Sequence, residues 1–522
     1  MSNNNTKIPQ SISKKNESEK IHRFVIAGGS YAAISAIKVL GNDILPRMIA
    51  DKSSNFKIAI TVIAPNREAY WNVAAVRIIS EVDLLETNTK QLFYPLVDTF
   101  KQYFPPEYLH GLNIIQGKVI SVDPETNTVS YIRLDDNGPA NDDFNFLGQE
   151  LFYDSLILAT GASSSSAAFK LNGTSEESKS ALRELHNSAH AAQSIAIIGG
   201  GGVGVELAGE LGYKYGKTKK ITLFTELGRA LQYLKPKISE KAIKRLEELG
   251  VETVVNHRAV SIVRDDDSYE IQSPNTEEEH PHEYNNDITA SKTHKSTSNE
   301  LKPLTSTSTN GRLHKLIHLH HGNTHGDNGT FNESSSDNSS QGSLDTESST
   351  LDNSTHNYNH DLSKFPTYHK KPSRTTITFQ DGSKATYDCC IPATGNTPNT
   401  QYLPDGTLDS EGYVLADSYL RMLNDNPNKN IYVIGDLLSG GRETMADISN
   451  SQILSLKATL IHDVVDSSYP LKKYVISPPS YLVPISKKGG VGTMNGFTVP
   501  SVVVTMMKGR DFRMEESHKY LE

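Results

Sequence analysis

One local pattern occurs twice in this chain, and it limits the fold more than any other feature. Residues 194–211 read SIAIIGGGGVGVELAGEL: an apolar run, a glycine cluster, then an alanine- and leucine-bearing run. Residues 24–40, FVIAGGSYAAISAIKVL, have the same layout. An apolar run without alternation reads as a strand buried on both faces, and strand, glycine turn and helix together open a βαβ unit. Each copy continues into a second strand, KIAITVIA (57–64) and KKITLFTE (219–226). Each then reaches alternating strands: KVISVDPETNTVSYIRL (118–134) in the first, AVSIVRDDDSYEIQ (259–272) and TTITFQDGSKATYD (375–388) in the second. Each ends on a short strand and Ala-Thr-Gly, in YDSLILATGASSS (153–165) and YDCCIPATGNTPN (387–399).

The second copy is longer because a different kind of segment interrupts it. Residues 273–370 are rich in Ser, Asn, Thr, His, Asp and Glu and poor in large apolar residues, so they cannot bury enough surface to offset their ordering entropy. The insert falls where the first copy has a turn, and closure entropy grows only slowly with loop length. The prediction is an α/β chain with two Rossmann-like dinucleotide-binding domains, a small C-terminal α+β subdomain and a long disordered insert. The expected boundaries are a disordered tail at 1–20, one domain at 21–190 with 400–470, a second at 191–272 with 371–399, and the subdomain at 471–522. Of the 18 histidines, 11 lie in the insert, but HKLIHLHHGNTHGD (314–327) matches no closed metal-site spacing, and no metal is expected.

The glycines carry the first chemistry. In Gly199-x-Gly201-x-x-Gly204 the first permits the tight turn, the second lets backbone approach a pyrophosphate, and the third lets helix pack on strand. The helix start adds unpaired N–H groups and a positive dipole end. In the first copy Gly28, Ser30 and Ala33 take these places. The acid expected after the second strand, to bind a ribose hydroxyl, is replaced by Ala64 in the first copy. In the second copy Glu226 stands close to that place, one residue beyond the strict register, and Arg229 nearby leaves room for a 2′-phosphate, so NADH is preferred and NADPH stays open. In NKNIYVIGDLLSG (428–440), an apolar strand ends in Gly435-Asp436, where a carboxylate can accept a hydrogen bond from a polyol such as a flavin ribityl chain.

With these motifs the chain resembles the two-dinucleotide-binding-domain flavoproteins, and among them the apoptosis-inducing-factor-like, ferroptosis-suppressor-like branch. AYWNVAAVR (69–77) is similar to its flavin-proximal loop and NIIQGKVISVD (113–123) to its adenine-side strand. SGGRETMADISNSQ (439–452) is similar to the helix start facing the isoalloxazine, and VGTMNGFTVPSVVVTMMKGRDF (491–512) to the C-terminal segment. The resemblance covers roughly 20–272 and 375–515. It implies an FAD site at Gly28, Gly29, Ser30, Tyr31, Ala32, Arg77, Val119, Thr160, Gly161, Asp436, Met445 and Ala446. It implies an NAD(P) site at Gly199, Gly201, Gly204, Glu206, Glu226 and Gly395, with Glu206 near the nicotinamide.

The implied activity passes a hydride from NAD(P)H to FAD and electrons onward to a quinone-type small molecule. The second reading is a redox-responsive cell-death signalling factor in which turnover is incidental. A glutathione- or thioredoxin-type reductase is disfavoured, because the region 65–80 lacks a cysteine pair. Cys389 and Cys390 are the only cysteines, and neighbours on a strand point to opposite faces, so both are expected as core thiols rather than a redox pair. A net charge of −9 argues against a nucleic-acid partner. No apolar run reaches the ~18–20 residues of a membrane span, and the first residues lack a secretory pattern. A cytoplasmic chain is expected, with FTVPSVVVTMM (497–507) and its flanking Lys487, Lys488, Lys508 and Arg510 as a candidate contact with the mitochondrial surface or another lipid membrane. Oligomeric state is left open.

Overall fold

The computed structural model describes residues 20–50, 56–134, 148–170, 173–264, 268–269, 374–424 and 429–521. Lys20 apart, the tail expected at 1–20 lies outside the described residues, as does the whole insert expected at 273–370.

The first copy supplies strands β1 (Lys20–Ala27), β2 (Phe56–Ala64), β3 (Leu112–Asp123), β4 (Thr128–Arg133), β5 (Gln149–Phe152) and β6 (Ser155–Leu158). The second supplies β7 (Ser194–Ile198), β8 (Lys220–Phe224), β9 (Val251–Val254), β10 (Ala259–Arg264), β11 (Thr375–Phe379), β12 (Lys384–Tyr387) and β13 (Cys389–Pro392). β14 (Ile431–Val433) follows, then β15 (Tyr481–Pro484), β16 (Gly490–Met494) and β17 (Phe497–Thr498). The helices used below are α1 (Tyr31–Val39), α2 (Ala75–Ser80), α3 (Ser175–Ala191), α4 (Gly202–Tyr215) and α5 (Pro236–Glu248).

The first sheet has the order β14-β6-β1-β2-β3-β4-β5. Its five strands from β14 to the start of β3 are parallel, and β4 and β5 add an antiparallel ribbon. The second sheet runs β9-β8-β7-β13, all parallel. The run β6-β1-β2-β3 and the run β13-β7-β8-β9 share one topology, so the repeated sequence is a repeated fold. β10, β11 and β12 form an antiparallel meander with Ser268–Tyr269, the counterpart of β3, β4 and β5. β15, β16 and β17 make a small antiparallel sheet near the C-terminus.

Local chemistry explains these elements. β1 and β6 are buried along Phe24–Ala27 and Ser155–Leu158, as strands covered on both faces must be. β11 alternates instead, with Thr375, Ile377 and Phe379 buried and their neighbours half-buried. α3 opens with a capping box, in which the Thr174 hydroxyl accepts from Glu177 N at 3.3 Å and Glu177 reaches back to Thr174 N at 3.1 Å. α5 begins with Pro236, whose missing N–H is harmless in a first turn.

Hydrogen bonds fix how the copies superpose. Gly28 N donates to Ile63 O at 2.9 Å, and Gly199 N to Phe224 O at 2.8 Å. Ala159 N donates to Ala27 O at 2.8 Å, and Ala393 N to Ile198 O at 2.7 Å. Ile63 therefore corresponds to Phe224, Ala64 to Thr225 and Pro65 to Glu226. This is the offset expected from sequence, in which Glu226 stands one residue beyond the place of Ala64.

Cys389 and Cys390 lie on β13, free and on opposite faces. Cys389 belongs to the main core with Ile195 and Ile391, whereas Cys390 packs against the cluster of Phe224, Phe379 and Tyr387. Burial pushes the Cys389 thiol up to about 12 and raises Cys390 as well. A thiol with that pKa is a thiolate about once in ten thousand molecules at pH 8, and the thiolate is the reactive form. In the native chain at pH 8 both thiols should react with Ellman's reagent at least about 100-fold more slowly than in guanidinium, measured by absorbance at both conditions. Rapid native labelling of either would contradict this packing.

Candidate functional site

A cavity of about 950 Å³ has walls from both copies. Ser30, Tyr31, Ala32, Thr160, Gly161, Asp436 and Met445 form its first side. Gly199, Gly201, Glu206, Glu226 and Gly395 form its second, and Lys508 from the C-terminal segment joins them.

The glycine loops build the floor. Gly28 and Gly199 have φ of +127° and +122°, and a β-carbon on either would overlap the carbonyl of Ala159 or Ala393. Gly29 is packed as tightly, since its β-carbon would lie 2.5 Å from Ala64 Cβ. Gly28 and Gly29 therefore shape the turn from behind the wall. Gly204 lies behind it too, where a β-carbon would overlap Gly199 O, which is the helix-on-strand packing its spacing predicts. Gly201 differs. Its φ of −74° suits any residue, and a β-carbon there meets no atom within 4 Å. Nothing in the protein requires glycine at 201, and the open space in front of it fits a phosphate of an incoming ligand. Ser30, its counterpart, is also extended and makes no side-chain capping bond to α1. The first N–H groups of α1 and α4 thus have no side-chain cap and point toward the cavity floor.

The polar groups are placed by specific bonds. Thr160 Oγ1 donates to Asn399 O at 2.7 Å and lies 2.9 Å from the Tyr402 hydroxyl. Gly435, with φ of +103°, donates its N–H to Gln452 Oε1 at 2.7 Å, and Gln452 Nε2 donates to buried Asp447 at 2.9 Å. That relay holds the turn that presents Asp436, whose Oδ2 is 2.6 Å from Lys170 Nζ. Tyr31 bonds through its hydroxyl to Ser449. Glu206 is 5% exposed, with Lys508 Nζ 2.5 Å from Oε1. Burial pushes the Glu206 carboxyl above the ordinary carboxylate range, and the Lys508 ammonium opposes the shift. Glu226 is exposed and 3.7 Å from Arg258 Nε.

Three residues assigned by resemblance to the flavin site do not line this cavity. Arg77 does not line the cavity; it is buried against Glu210. Val119 lies on β3 across from Tyr131, away from the wall, and Ala446 stands behind Met445. Conversely, Lys170, Arg258 and His257 line the cavity without having been singled out from sequence. Isolated cations in loops carry no periodic or motif signal. Lys508, expected to flank a membrane-facing segment, turns inward to Glu206 instead.

Residues 22–290 match the pyridine nucleotide-disulphide oxidoreductase family. The chain belongs to this family. It is a family of NAD(P)H-dependent flavin oxidoreductases. Oxidoreductase ptaL of Pestalotiopsis fici is 29% identical over 45% of this chain and 57% of its own length. Oxidoreductase phnG of Penicillium herquei is 24% identical over 94% of this chain and 93% of its own. Ferroptosis suppressor protein 1 of Xenopus tropicalis is 24% identical over 47% of this chain and 54% of its own, placing that branch among the relatives. Apart from phnG, the chain spans little more than half the length of these relatives. A NAD-dependent persulfide reductase from A. fulgidus shares the fold, with a TM-score of 0.50 and 15% identity over 90% of this chain and 63% of its own.

Gly201→Ala should keep the melting temperature within about 2 °C, since no atom is displaced, yet weaken nicotinamide-nucleotide binding by about tenfold or more. Calorimetry on the variant and its parent measures both. Unchanged binding would mean that no phosphate sits before residue 201.

Proposed function

We propose that this chain passes a hydride from NADH to FAD and the electrons onward to a quinone-type acceptor. The observation that carries the reading is one cavity with a dinucleotide loop on each side. FAD, when bound, supplies acceptance of the hydride and its release to the acceptor as electrons. The chain holds the two nucleotides together; proximity is its main contribution.

Named residues have distinct parts in this arrangement. Ser30, Tyr31 and the start of α1 would hold the flavin nucleotide, with Asp436 accepting from its polyol chain. Gly199, Gly201 and the start of α4 would hold the coenzyme pyrophosphate. Glu206 and Lys508 form a paired charge between the two sides, so neither of these two charges stands alone. Glu226 would accept from the coenzyme ribose. Its charge disfavours a 2′-phosphate, and Arg258 is engaged by Glu226 itself. Arg229 also lines the cavity, with Nη2 on Gln232 O at 2.8 Å and Leu234 O at 3.4 Å, so the support for NADH over NADPH rests on Glu226.

A lipophilic acceptor is supported by the surface near Lys508. Phe497, Val502 and Met506 are 77%, 61% and 75% exposed, and Met506 is two residues from Lys508 in the turn Thr505–Gly509. Clustered apolar exposure of this kind marks a partner or membrane surface. No helix among the described residues is long and apolar enough to cross a membrane. The proposed contact is therefore peripheral.

Two results follow from this reading. NADH should exceed NADPH in kcat/KM by about tenfold, and Glu226→Ala should narrow that ratio to within about threefold. A parent chain that prefers NADPH would overturn the role given to Glu226. Phe497→Asp with Met506→Asp should lower reduction of a quinone held in vesicles by about tenfold while ferricyanide reduction stays within twofold. An equal loss with both acceptors would remove the membrane proposal, and negligible turnover with any acceptor would favour the signalling reading.

A further inference from the structure

Arg77 lies on α2, outside the cavity, and is 2% exposed. Four of its five guanidinium N–H groups are hydrogen-bonded. Nε donates to Glu210 Oε2 at 2.5 Å and Nη2 to Glu210 Oε1 at 3.0 Å. Nη2 also donates to Gly509 O at 2.9 Å, and Nη1 to Arg510 O at 3.1 Å. The plane covers the Phe512 ring with 4.8 Å to its centroid.

These partners have an arrangement that a simple buried ion pair would not need. Glu210 lies one helical turn beyond Glu206 on α4, so the two carboxylates share a face. Gly509 and Arg510 immediately follow Lys508, whose ammonium meets Glu206 at 2.5 Å inside the cavity. Arg77 thus binds both sides of the contact that Lys508 makes: the helix bearing Glu206 and the backbone carrying Lys508. The same C-terminal segment is tied further along by Trp71 Nε1, which donates to Phe512 O at 3.0 Å, and by Tyr94 and Ser517, whose hydroxyls are 2.6 Å apart. Both tyrosine and tryptophan belong, like Arg77, to the stretch between β2 and β3.

We propose that Arg77 is a positioning residue: by bridging Glu210 and the Gly509–Arg510 carbonyls, it sets the turn that aims Lys508 at Glu206. The kinetic part of this proposal rests on the hydride-transfer reading above, whereas the structural part does not. Arginine is required because four bonds in one plane suit a guanidinium fork. A lysine keeps the charge beside Glu210 but has no planar fork to reach both carbonyls.

The test uses the full-length chain as purified and has two arms. In Arg77→Lys, amide hydrogen exchange at Arg510 and Phe512 should quicken by about tenfold or more, while β1 and β7 exchange as in the parent. Their amides are closed onto Thr505 O at 2.9 Å and Lys508 O at 2.7 Å, so they report the turn directly. Where Arg77→Lys does not yield folded protein, Glu210→Gln keeps the shape and removes the charge, and the same local acceleration is expected. In the second arm, Arg77→Lys should lower kcat/KM for NADH by about tenfold, but by less than twofold when Lys508 is already Met. Equal losses in both backgrounds, or unchanged exchange in the turn, would overturn the proposal. If the parent does not oxidise NADH, the hydride-transfer reading fails and the exchange arm decides this one alone.

Discussion

A helix can leave its strand without a loop only where the joining residue adopts a backbone that side chains resist. Gly28 and Gly199 are those residues, each at positive φ and each pressed against the carbonyl of an Ala-Thr-Gly. The close contact fixes three things together: where the helix starts, which strand lies beside the first, and that the helix N-terminus faces the carboxyl ends of the strands. Ligands bind at that end of open α/β sheets. The chain meets this constraint twice and opens both ends onto one cavity, so the site is a consequence of the turns rather than an addition to them.

Charge at the seam between the two sides is handled by pairing. Glu206 and Glu210 are both nearly dry, and burial raises both carboxyls above their ordinary range. Lys508 and Arg77 oppose that shift and keep either carboxylate from standing alone. Breaking a buried pair by removing one partner typically costs ~3–5 kcal/mol, because the other charge is left unpaired. The two pairs also differ in access. Glu206 and Lys508 line the cavity, whereas Arg77 and Glu210 are sealed behind it, which separates a group that can meet a ligand from one that holds position.

Much of this was readable in the residues. The apolar runs at 24–27 and 194–198, the glycine spacing and the two Ala-Thr-Gly strands all depend on local rules, and they specify both sheets. The opposite-facing thiols follow from strand periodicity alone. The site was less readable where it depends on contacts between distant segments. Arg77 belongs to the flavin loop by resemblance, yet its charge turns to Glu210, which lies 133 positions later in the chain. Lys508 follows an apolar stretch and reads as a surface cation, but a single turn of backbone sends it inward. Lys170 and Arg258 sit in loops with no pattern of their own. The one-residue offset of Glu226 from the place of Ala64 was legible from sequence, and the Gly28–Ile63 and Gly199–Phe224 hydrogen bonds fix it.

The account depends most on a flavin and a nicotinamide nucleotide meeting in this one cavity. Absorption spectroscopy of the purified chain during an anaerobic titration with NADH tests that directly. The prediction is a yellow protein with about one FAD per chain, bleached at about one equivalent of NADH. A colourless protein that takes up no added FAD, or flavin bands untouched by excess NADH, would contradict it.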